Sequence, residues 1–224
     1  MKLLAIDTAT EACSVALHYD DQVSGAFALT PQQHSQRLLP MVESVLSEAG
    51  VTLAELDGLA FGRGPGSFTG VRIATGMIQG LALGTGLPVA GVSTLSAMAQ
   101  QVYSQTGAQR VAVAIDARMD EVYFGQFECN DGVMTLVGEE AVLPPDMALQ
   151  QLQDVTVAKA GTGWAAYPVL AELGGVSDVL YPDARYMLPF ANAALAAGQG
   201  AMARDIQPVY LRDKVTWKKL PGRE

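Results

Sequence analysis

The chain has 224 residues, half of them hydrophobic, so it can bury a sizeable core, and the composition argues against intrinsic disorder. Its formal net charge of −9 argues against a free-standing nucleic-acid binder, because neutralisation of phosphates by Lys and Arg dominates that affinity. Asp7 and Glu11 interrupt the apolar run at the amino terminus, which predicts neither an export signal nor a membrane span. The only two cysteines, Cys13 and Cys129, lie in strand-like runs and are expected to be reduced thiols of a cytoplasmic protein.

Strand and helix patterns alternate along the first half of the chain, which favours an α/β fold. The period-2 and short apolar runs predict strands over residues 2–7, 13–19, 23–29, 56–61 and 87–92. Helical spacing predicts helices over residues 38–49, 70–84 and 95–104. Gly50 is the expected C-cap of the first helix, and Pro40 either opens its regular part or kinks it.

The opening of the chain is repeated about 109 residues later, which suggests a duplicated lobe. In both copies a strand ends in aspartate, a polar turn follows and a strand returns: residues 3–7 and 13–17, then 111–116 and 121–127. A strand over 155–158 and helices near 164–173 and 190–197 follow. We therefore expect a first lobe over residues 1–106 and a reduced second lobe over 107–203.

Residues 204–224 form a basic tail on an otherwise acidic chain. Six basic residues, Arg204, Arg212, Lys214, Lys218, Lys219 and Arg223, stand against Asp205, Asp213 and Glu224. With Trp217 and Tyr210, this tail could contact RNA or an acidic partner. The alternative is a solvated arm that packs back on the first lobe.

Residues 62–70 hold four glycines and a proline between a predicted strand and a predicted helix. Backbone amides ahead of a helix can bind an anion, so Asp7, Gly64, Gly66 and Ser67 form a candidate nucleotide or anion site. A P-loop, however, has a lysine after its last glycine, whereas Val71 follows Gly70 here. The alternative is a tight structural turn, in which the Asp7 carboxylate only caps the backbone.

The helix that follows carries Gly76, Gly80 and Gly84 four residues apart, so they share one face. Each glycine costs roughly 1 kcal/mol relative to alanine inside a helix, which implies a compensating close contact. The groove either packs inside the chain or forms a contact between subunits.

Four segments resemble the TsaB (YeaZ) family, over essentially the whole chain. They are Leu4-Ala-Ile-Asp-Thr-Ala-Thr10, His34-Ser-x-Arg-Leu-Leu-Pro40, Phe61-Gly-Arg-Gly-Pro-Gly-Ser-Phe-Thr-Gly-Val-Arg72 and Tyr210-Leu-Arg followed by Trp217-Lys-Lys-Leu. The resemblance implies the actin-like ATPase fold of sugar kinases and Hsp70, duplicated into two lobes. It also implies participation in forming N6-threonylcarbamoyladenosine (t6A) at position 37 of tRNAs that read codons starting with A.

The resemblance further implies a partner role. In that system the paralogue TsaD transfers the threonylcarbamoyl group, TsaE is an ATPase, and this family pairs with TsaD, or with itself when TsaD is absent; tRNA is reached through the complex. Thr94 and Met98 stand where TsaD carries two metal-binding histidines, which implies no catalytic residue and no metal site. No intrinsic cofactor is expected, although ATP or ADP could lie at the partner interface. The implied interface comprises Leu38, Met41, Val42, Val45, Arg72, Gly76, Gly80 and Leu83.

Two enzymatic alternatives remain open at the sequence level. The wider family has been labelled glycoprotease, so a metallo- or serine peptidase is one of them; His34 and Ser35 are adjacent, however, and do not face each other on a helix. The other is a kinase-like protein that binds nucleotide through Asp7 and Asp116, which end equivalent strands.

Overall fold

The computed structural model describes residues 1–152 and 156–212. The strands are β1 (Leu3–Asp7), β2 (Ala12–Tyr19), β3 (Gln22–Leu29), β4 (Gly58–Gly64), β5 (Val89–Ser93), β6 (Arg110–Asp116), β7 (Val122–Asn130), β8 (Val133–Leu143) and β9 (Ala158–Ala160). The helices are α1 (His34–Ala49), α2 (Phe68–Thr85), α3 (Thr94–Thr106), α4 (Pro145–Gln151), α5 (Gly163–Ala166), α6 (Pro168–Ala171) and α7 (Leu188–Ala196). Short 3-10 turns lie at Leu53–Glu55, Ala184–Met187 and Ala203–Asp205.

Two mixed sheets repeat the same strand order. The first sheet runs β3-β2-β1-β4-β5 and the second runs β8-β7-β6-β9. In each, three consecutive strands are antiparallel and the next strand pairs in parallel with the first of them, β4 with β1 and β9 with β6. The predicted α/β fold, with a repeated strand order and a smaller second sheet, is confirmed.

Helices cover the first sheet on both faces. On one face, α1 and α2 pack Leu38 and Ile78 against strand residues such as Ile6. On the other face, α7 lies against small residues, including Ala5 and Ala60, which let a helix approach closely. Helix α3 follows the first sheet in the chain but packs on the second. Each half of the chain therefore supplies a helix that packs against the sheet of the other half. The lobe boundaries near residues 106 and 203 stay predictions.

Local signals in the sequence mark several helix ends. Gly50 ends α1 with φ of 67°, which confirms the predicted glycine cap. Ser93 begins α3, because its hydroxyl accepts the backbone N–H groups of Leu95 and Ser96. Pro40 lies inside α1, which begins at His34, earlier than the apolar spacing indicated.

The second lobe differs most from the sequence prediction. Strand β8 and helix α4 were not predicted, and the predicted strand over 155–158 is found at Ala158–Ala160, with residues 153–155 outside the described residues. The single helix expected near 164–173 is divided into α5 and α6 between Ala166 and Pro168. Proline lacks the amide hydrogen that a continuous helix requires.

The described part of the tail contacts the first lobe. Ile206 is buried in the core beneath α1 and α2, and its carbonyl accepts a hydrogen bond of 2.9 Å from Gln79 Nε2. The Val209 N–H donates to the Arg63 carbonyl at 2.7 Å. Lys214, Trp217, Lys218, Lys219 and Arg223 lie outside the described residues. Within the described ranges, no helix has the length and apolar character needed to cross a membrane.

Candidate functional site

The glycine-rich segment wraps around the turn between β1 and β2. The Ser67 N–H donates to the Ala9 carbonyl at 2.7 Å, and Thr8 Oγ1 donates to the Gly70 carbonyl at 2.7 Å. A Cβ atom on Gly66 would lie 2.2 Å from the Ala9 oxygen, and one on Gly70 would lie 2.0 Å from the Thr8 oxygen. These glycines are therefore required by the close approach of two backbone segments.

Asp7, one of the candidate nucleotide residues, lies below this turn and is fully buried. Its Oδ1 accepts the Ala9 N–H at 3.1 Å, whereas Oδ2 has no hydrogen-bond partner among the described residues and packs against the Cα of Gly62. Burial raises the pKa of this carboxyl from 3.8 to about 7, against the lowering effect of the Ala9 hydrogen bond; the Asp183 carboxylate raises it further. Asp7 is thus a neutral or easily neutralised core acid.

The other residues of the candidate anion site, Gly64, Gly66 and Ser67, each have a structural role in the turn. Gly64 ends β4 with φ of 98°, and the Ser67 hydroxyl accepts the Gly70 N–H at 3.4 Å as the N-cap of α2. Gly66 and Ser67 line the cleft between the lobes, but the Ser67 amide already donates to Ala9. These contacts explain residues 62–70 as a structural turn. A nucleotide or anion site here stays a prediction.

The cleft between the two lobes has a volume of about 560 Å³. Its walls are the β1–β2 turn of the first lobe and the equivalent β6–β7 turn of the second, with the starts of α1 and α2. The polar side chains that line it are those of Thr10, Glu11, Gln32, His34, Ser67, Asp116, Arg118, Tyr123 and Arg212.

Three charged side chains of the cleft, those of Glu11, Asp116 and Arg118, interact with one another. Asp116 accepts hydrogen bonds from the Arg118 N–H and from the Tyr167 hydroxyl, both at 2.9 Å, and forms an ion pair of 3.0 Å with the Arg118 side chain. Burial and the Asp116 hydrogen bond raise the pKa of Tyr167 to about 12. Arg118 also reaches Glu11 across the cleft at 3.7 Å, but it is largely exposed, so this pair contributes little to stability.

Neither histidine is placed for catalysis. His34 Nε2 lies 3.2 Å from the Ala12 carbonyl, and His18 Nδ1 lies 2.8 Å from the Met1 carbonyl. Thr94 and Met98 are fully buried in α3. Within residues 1–152 and 156–212, no three His, Cys, Asp or Glu side chains are grouped so that they could hold a metal ion.

The predicted partner surface needs one correction. Leu38, Val42 and Val45 lie in the core between α1 and the first sheet, so they cannot belong to an exposed interface of this chain. The remaining members lie differently. Met41 is half-buried, while Arg72, Gly76, Gly80 and Leu83 are exposed along α2.

The glycine groove on α2 is open. A Cβ atom on Gly76, Gly80 or Gly84 would meet nothing within 4 Å, so no described part of the chain packs into the groove. Leu83 is 80% exposed beside it. The described part of the chain thus provides no internal contact that would offset the free-energy cost of these glycines in the helix.

An exposed aromatic stack at the start of α2 was missed at the sequence level. The Arg72 guanidinium lies 3.2 Å from the centre of the Phe68 ring and 5.1 Å from that of Tyr210, and the two ring centres are 5.8 Å apart. Phe68 is 59% and Tyr210 is 43% exposed. Phe68 was noted only within a motif and Tyr210 also as part of the basic tail, but the two were not paired, because sequence spacing cannot bring residue 210 to residue 68. Arginine and tyrosine are enriched at the energetic centres of protein interfaces.

Comparison with known proteins assigns the chain to a family. Residues 28–219 match the family model described as TsaD: tRNA N6-adenosine threonylcarbamoyltransferase. A relative from Escherichia coli K12 is 48% identical, with all of both chains covered, and one from Haemophilus influenzae is 47% identical, with 100% of this chain and 99% of the relative covered. Both are named tRNA threonylcarbamoyladenosine biosynthesis protein TsaB. The chain belongs to the TsaB (YeaZ) family.

Solved structures of TsaB (YeaZ) relatives have the same fold. YeaZ from Pseudomonas aeruginosa superposes with a TM-score of 0.84 at 47% identity, covering 94% of this chain and 99% of that one. A second P. aeruginosa structure, described as similar to the peptidase YeaZ, gives a TM-score of 0.86 at 48% identity with the same coverage. The resemblance inferred from the four sequence segments is therefore confirmed at the level of family and fold.

Proposed function

We propose that this TsaB-family chain is a non-catalytic subunit required for t6A formation at position 37 of tRNAs that read codons starting with A. In this proposal it binds and activates a TsaD-type transferase. The observation that carries the proposal is the open glycine groove of α2, flanked by Leu83 and the Phe68–Arg72–Tyr210 stack. The names of the relatives support the pathway.

The physical argument for a protein partner starts from the cost of the groove. Three glycines weaken α2 by roughly 1 kcal/mol each, and residues 1–152 and 156–212 leave their face open. A second helix that lies across small residues can approach more closely than the usual 8–10 Å between helix axes. The exposed Leu83 and Phe68 then bury apolar area that is otherwise in water.

The surroundings of Arg72 favour an interface with a protein. Arg72 is the only charged residue in α2, and the described part of the chain offers it ring contacts but no ion pair. An arginine held flat against a ring keeps its N–H edge free for a carboxylate of a partner. The interface proposed for TsaD is thus Met41, Arg72, Gly76, Gly80 and Leu83 together with Phe68 and Tyr210.

The other assemblies belong to the same proposal. TsaE would act as the ATPase of the complex, a homodimer would use the same α2 face when TsaD is absent, and tRNA would be reached through TsaD. ATP or ADP would bind at the joint interface rather than to this chain alone. The place of action is the cytoplasm, where tRNA is modified.

A peptidase is the weaker candidate. The His34 imidazole is directed at the Ala12 carbonyl, and the neighbouring Ser35 is exposed. The described residues provide no set of nucleophile, base and orienting group, and no cluster that could activate a metal-bound water.

The first prediction tests the role directly. When threonylcarbamoyl transfer to unmodified tRNA is reconstituted from the adenylate-forming enzyme, TsaD and TsaE, we expect transfer to require this chain. We also expect no transfer when this chain replaces TsaD, because it lacks the transferase's metal-binding residues. Undiminished transfer in the absence of this chain would overturn the proposed function.

The second prediction tests the surface. Gly80→Leu should raise the dissociation constant for TsaD at least about tenfold, or about 1.4 kcal/mol, because the side chain fills the groove. The isolated chain should remain folded, since no described residue lies within 4 Å of the new Cβ.

Ala193→Leu is the matched control, because Ala193 is exposed on α7 and away from this surface. It adds a comparable exposed leucine and should leave TsaD affinity unchanged. Equal affinities of the two variants, measured by titration calorimetry, would remove α2 from the proposed interface.

A further inference from the structure

Residues 206–212 run along the first lobe before they reach the second. Ile206 is buried in the first core, its carbonyl bound by Gln79, and the Val209 N–H donates to the Arg63 carbonyl at 2.7 Å. The Val209 carbonyl in turn packs against the Cα of Gly64. This segment, called the strap below, is thus fixed to β4 and α2.

The strap ends on the second lobe. Arg212 Nε donates to Glu121 Oε2 at 2.9 Å, and Arg212 Nη2 donates to the same oxygen and to the carbonyls of Ala117 and Arg118 at 3.0 and 3.2 Å. Only 18% of the Arg212 side chain is exposed. A guanidinium that makes several charge-assisted hydrogen bonds at once holds its acceptors in a fixed geometry.

The turn that Arg212 holds has an unusual backbone. Arg118, Met119 and Asp120 are three consecutive non-glycine residues in the left-handed region, with φ of 59°, 57° and 59°. Such a conformation persists where surrounding contacts impose it. Arg212 binds the carbonyls of Ala117 and Arg118, at the start of this stretch, and the carboxylate of Glu121 at its end.

The two lobes hold their equivalent turns in different ways. In the first lobe, the β1–β2 turn is fixed by the glycine segment of the same lobe, through Ser67 and Thr8. In the second lobe, the β6–β7 turn is held from two sides. Tyr167 of the same lobe donates to Asp116 and to the Glu121 carbonyl, and Arg212, whose own segment is anchored in the first lobe, binds Glu121 and the Ala117 and Arg118 carbonyls. Both turns line the cleft, so the distance between them sets its width.

We propose that residues 206–212 are an interlobe strap in which Arg212, clamped on Glu121 and the Ala117 and Arg118 carbonyls, holds the cleft at its observed width. Release of Arg212 lets the second lobe move away about the shared helices α3 and α7. The strap also contains Tyr210, which packs against Phe68 in the exposed aromatic stack. The same seven residues therefore contact both the cleft and the exposed face of α2.

The test measures the width of the cleft in the full chain by double electron–electron resonance. Spin labels are attached at Gln36→Cys on α1 and Asp146→Cys on α4, two exposed positions in different lobes, with Cys129→Ser to avoid a third label. We expect Arg212→Gln to shift the mean distance between the two labels by more than the width of the wild-type distance distribution. The distribution of the variant should also be broader than that of the wild type. Glu121→Gln should produce a shift in the same direction.

Two comparisons make the result decisive. Arg204→Gln changes a largely exposed arginine upstream of the strap and should leave the distribution unchanged. The Arg212→Gln and Glu121→Gln double variant should match the Arg212→Gln single variant, because both changes release the same clamp. An Arg212→Gln distribution equal to that of the wild type, or a double variant whose shift is the sum of the two single shifts, would overturn the proposal.

Discussion

Gly70→Ala is expected to lower the free energy of unfolding by about 3 kcal/mol or more. The new Cβ would lie 2.0 Å from the Thr8 carbonyl oxygen, a distance that requires the backbone of the β1–β2 turn to move. That movement would also disturb the hydrogen bonds from Thr8 Oγ1 to Gly70 and from Ser67 to Ala9. Alanine's higher helix propensity offsets only about 1 kcal/mol of this loss.

The matched control lies in the same helix. Gly76→Ala places its Cβ where no described residue lies within 4 Å and should raise the free energy of unfolding by about 0.5–1 kcal/mol. Urea denaturation followed by circular dichroism, at protein concentrations low enough to exclude self-association, measures both variants. Equal stabilities would show that the close approach at Gly70 does not exist in solution.

These two glycines also show what the sequence could and could not specify. The sequence identified residues 62–70 as a turn between strand and helix, and it placed Gly76, Gly80 and Gly84 on one helical face. It could not show that Gly66 and Gly70 touch residues 8 and 9, since that contact joins distant parts of the chain. An anion-binding loop and a close backbone crossing require the same residue type.

The wrongly assigned interface residues have a similar explanation. Leu38, Val42 and Val45 recur at helical spacing, which identifies an apolar face but not what covers it. In this chain the first sheet covers it. Strand β8 was missed for a local reason: Gly138 and the two glutamates that follow it interrupt the alternation of an edge strand, and its pairing with β7 shifts register nearby.

Asp7→Asn is expected to remove a pH dependence of stability. The raised pKa of Asp7, about 7 against 3.8, means that the folded chain keeps a proton that the unfolded chain releases between about pH 4 and pH 7. Raising the pH through this window therefore lowers the free energy of unfolding. Below it both states are protonated, above it both are ionised, and the loss stays constant.

The expected size follows from the pKa difference. At about 1.4 kcal/mol for each pKa unit, ionising Asp7 in the folded chain costs up to roughly 4 kcal/mol at pH 8. Asparagine has the same shape and no charge, so Asp7→Asn should be close to the wild type at pH 4 and several kcal/mol more stable at pH 8. The buried Glu140, whose pKa burial also raises, contributes to both proteins and cancels in the difference.

Urea denaturation of both proteins from pH 4 to pH 8 tests this expectation. Glu140→Gln serves as a second control, because the Ser93 hydroxyl and Arg63 partly offset the burial of that carboxyl and its pH effect should be smaller. A difference between Asp7→Asn and the wild type that does not change with pH would mean that Asp7 ionises normally in the folded chain. A carboxylate that ionises normally must have a charge-stabilising partner or solvent at Oδ2, which would favour the nucleotide-binding alternative for Asp7 over a purely structural role.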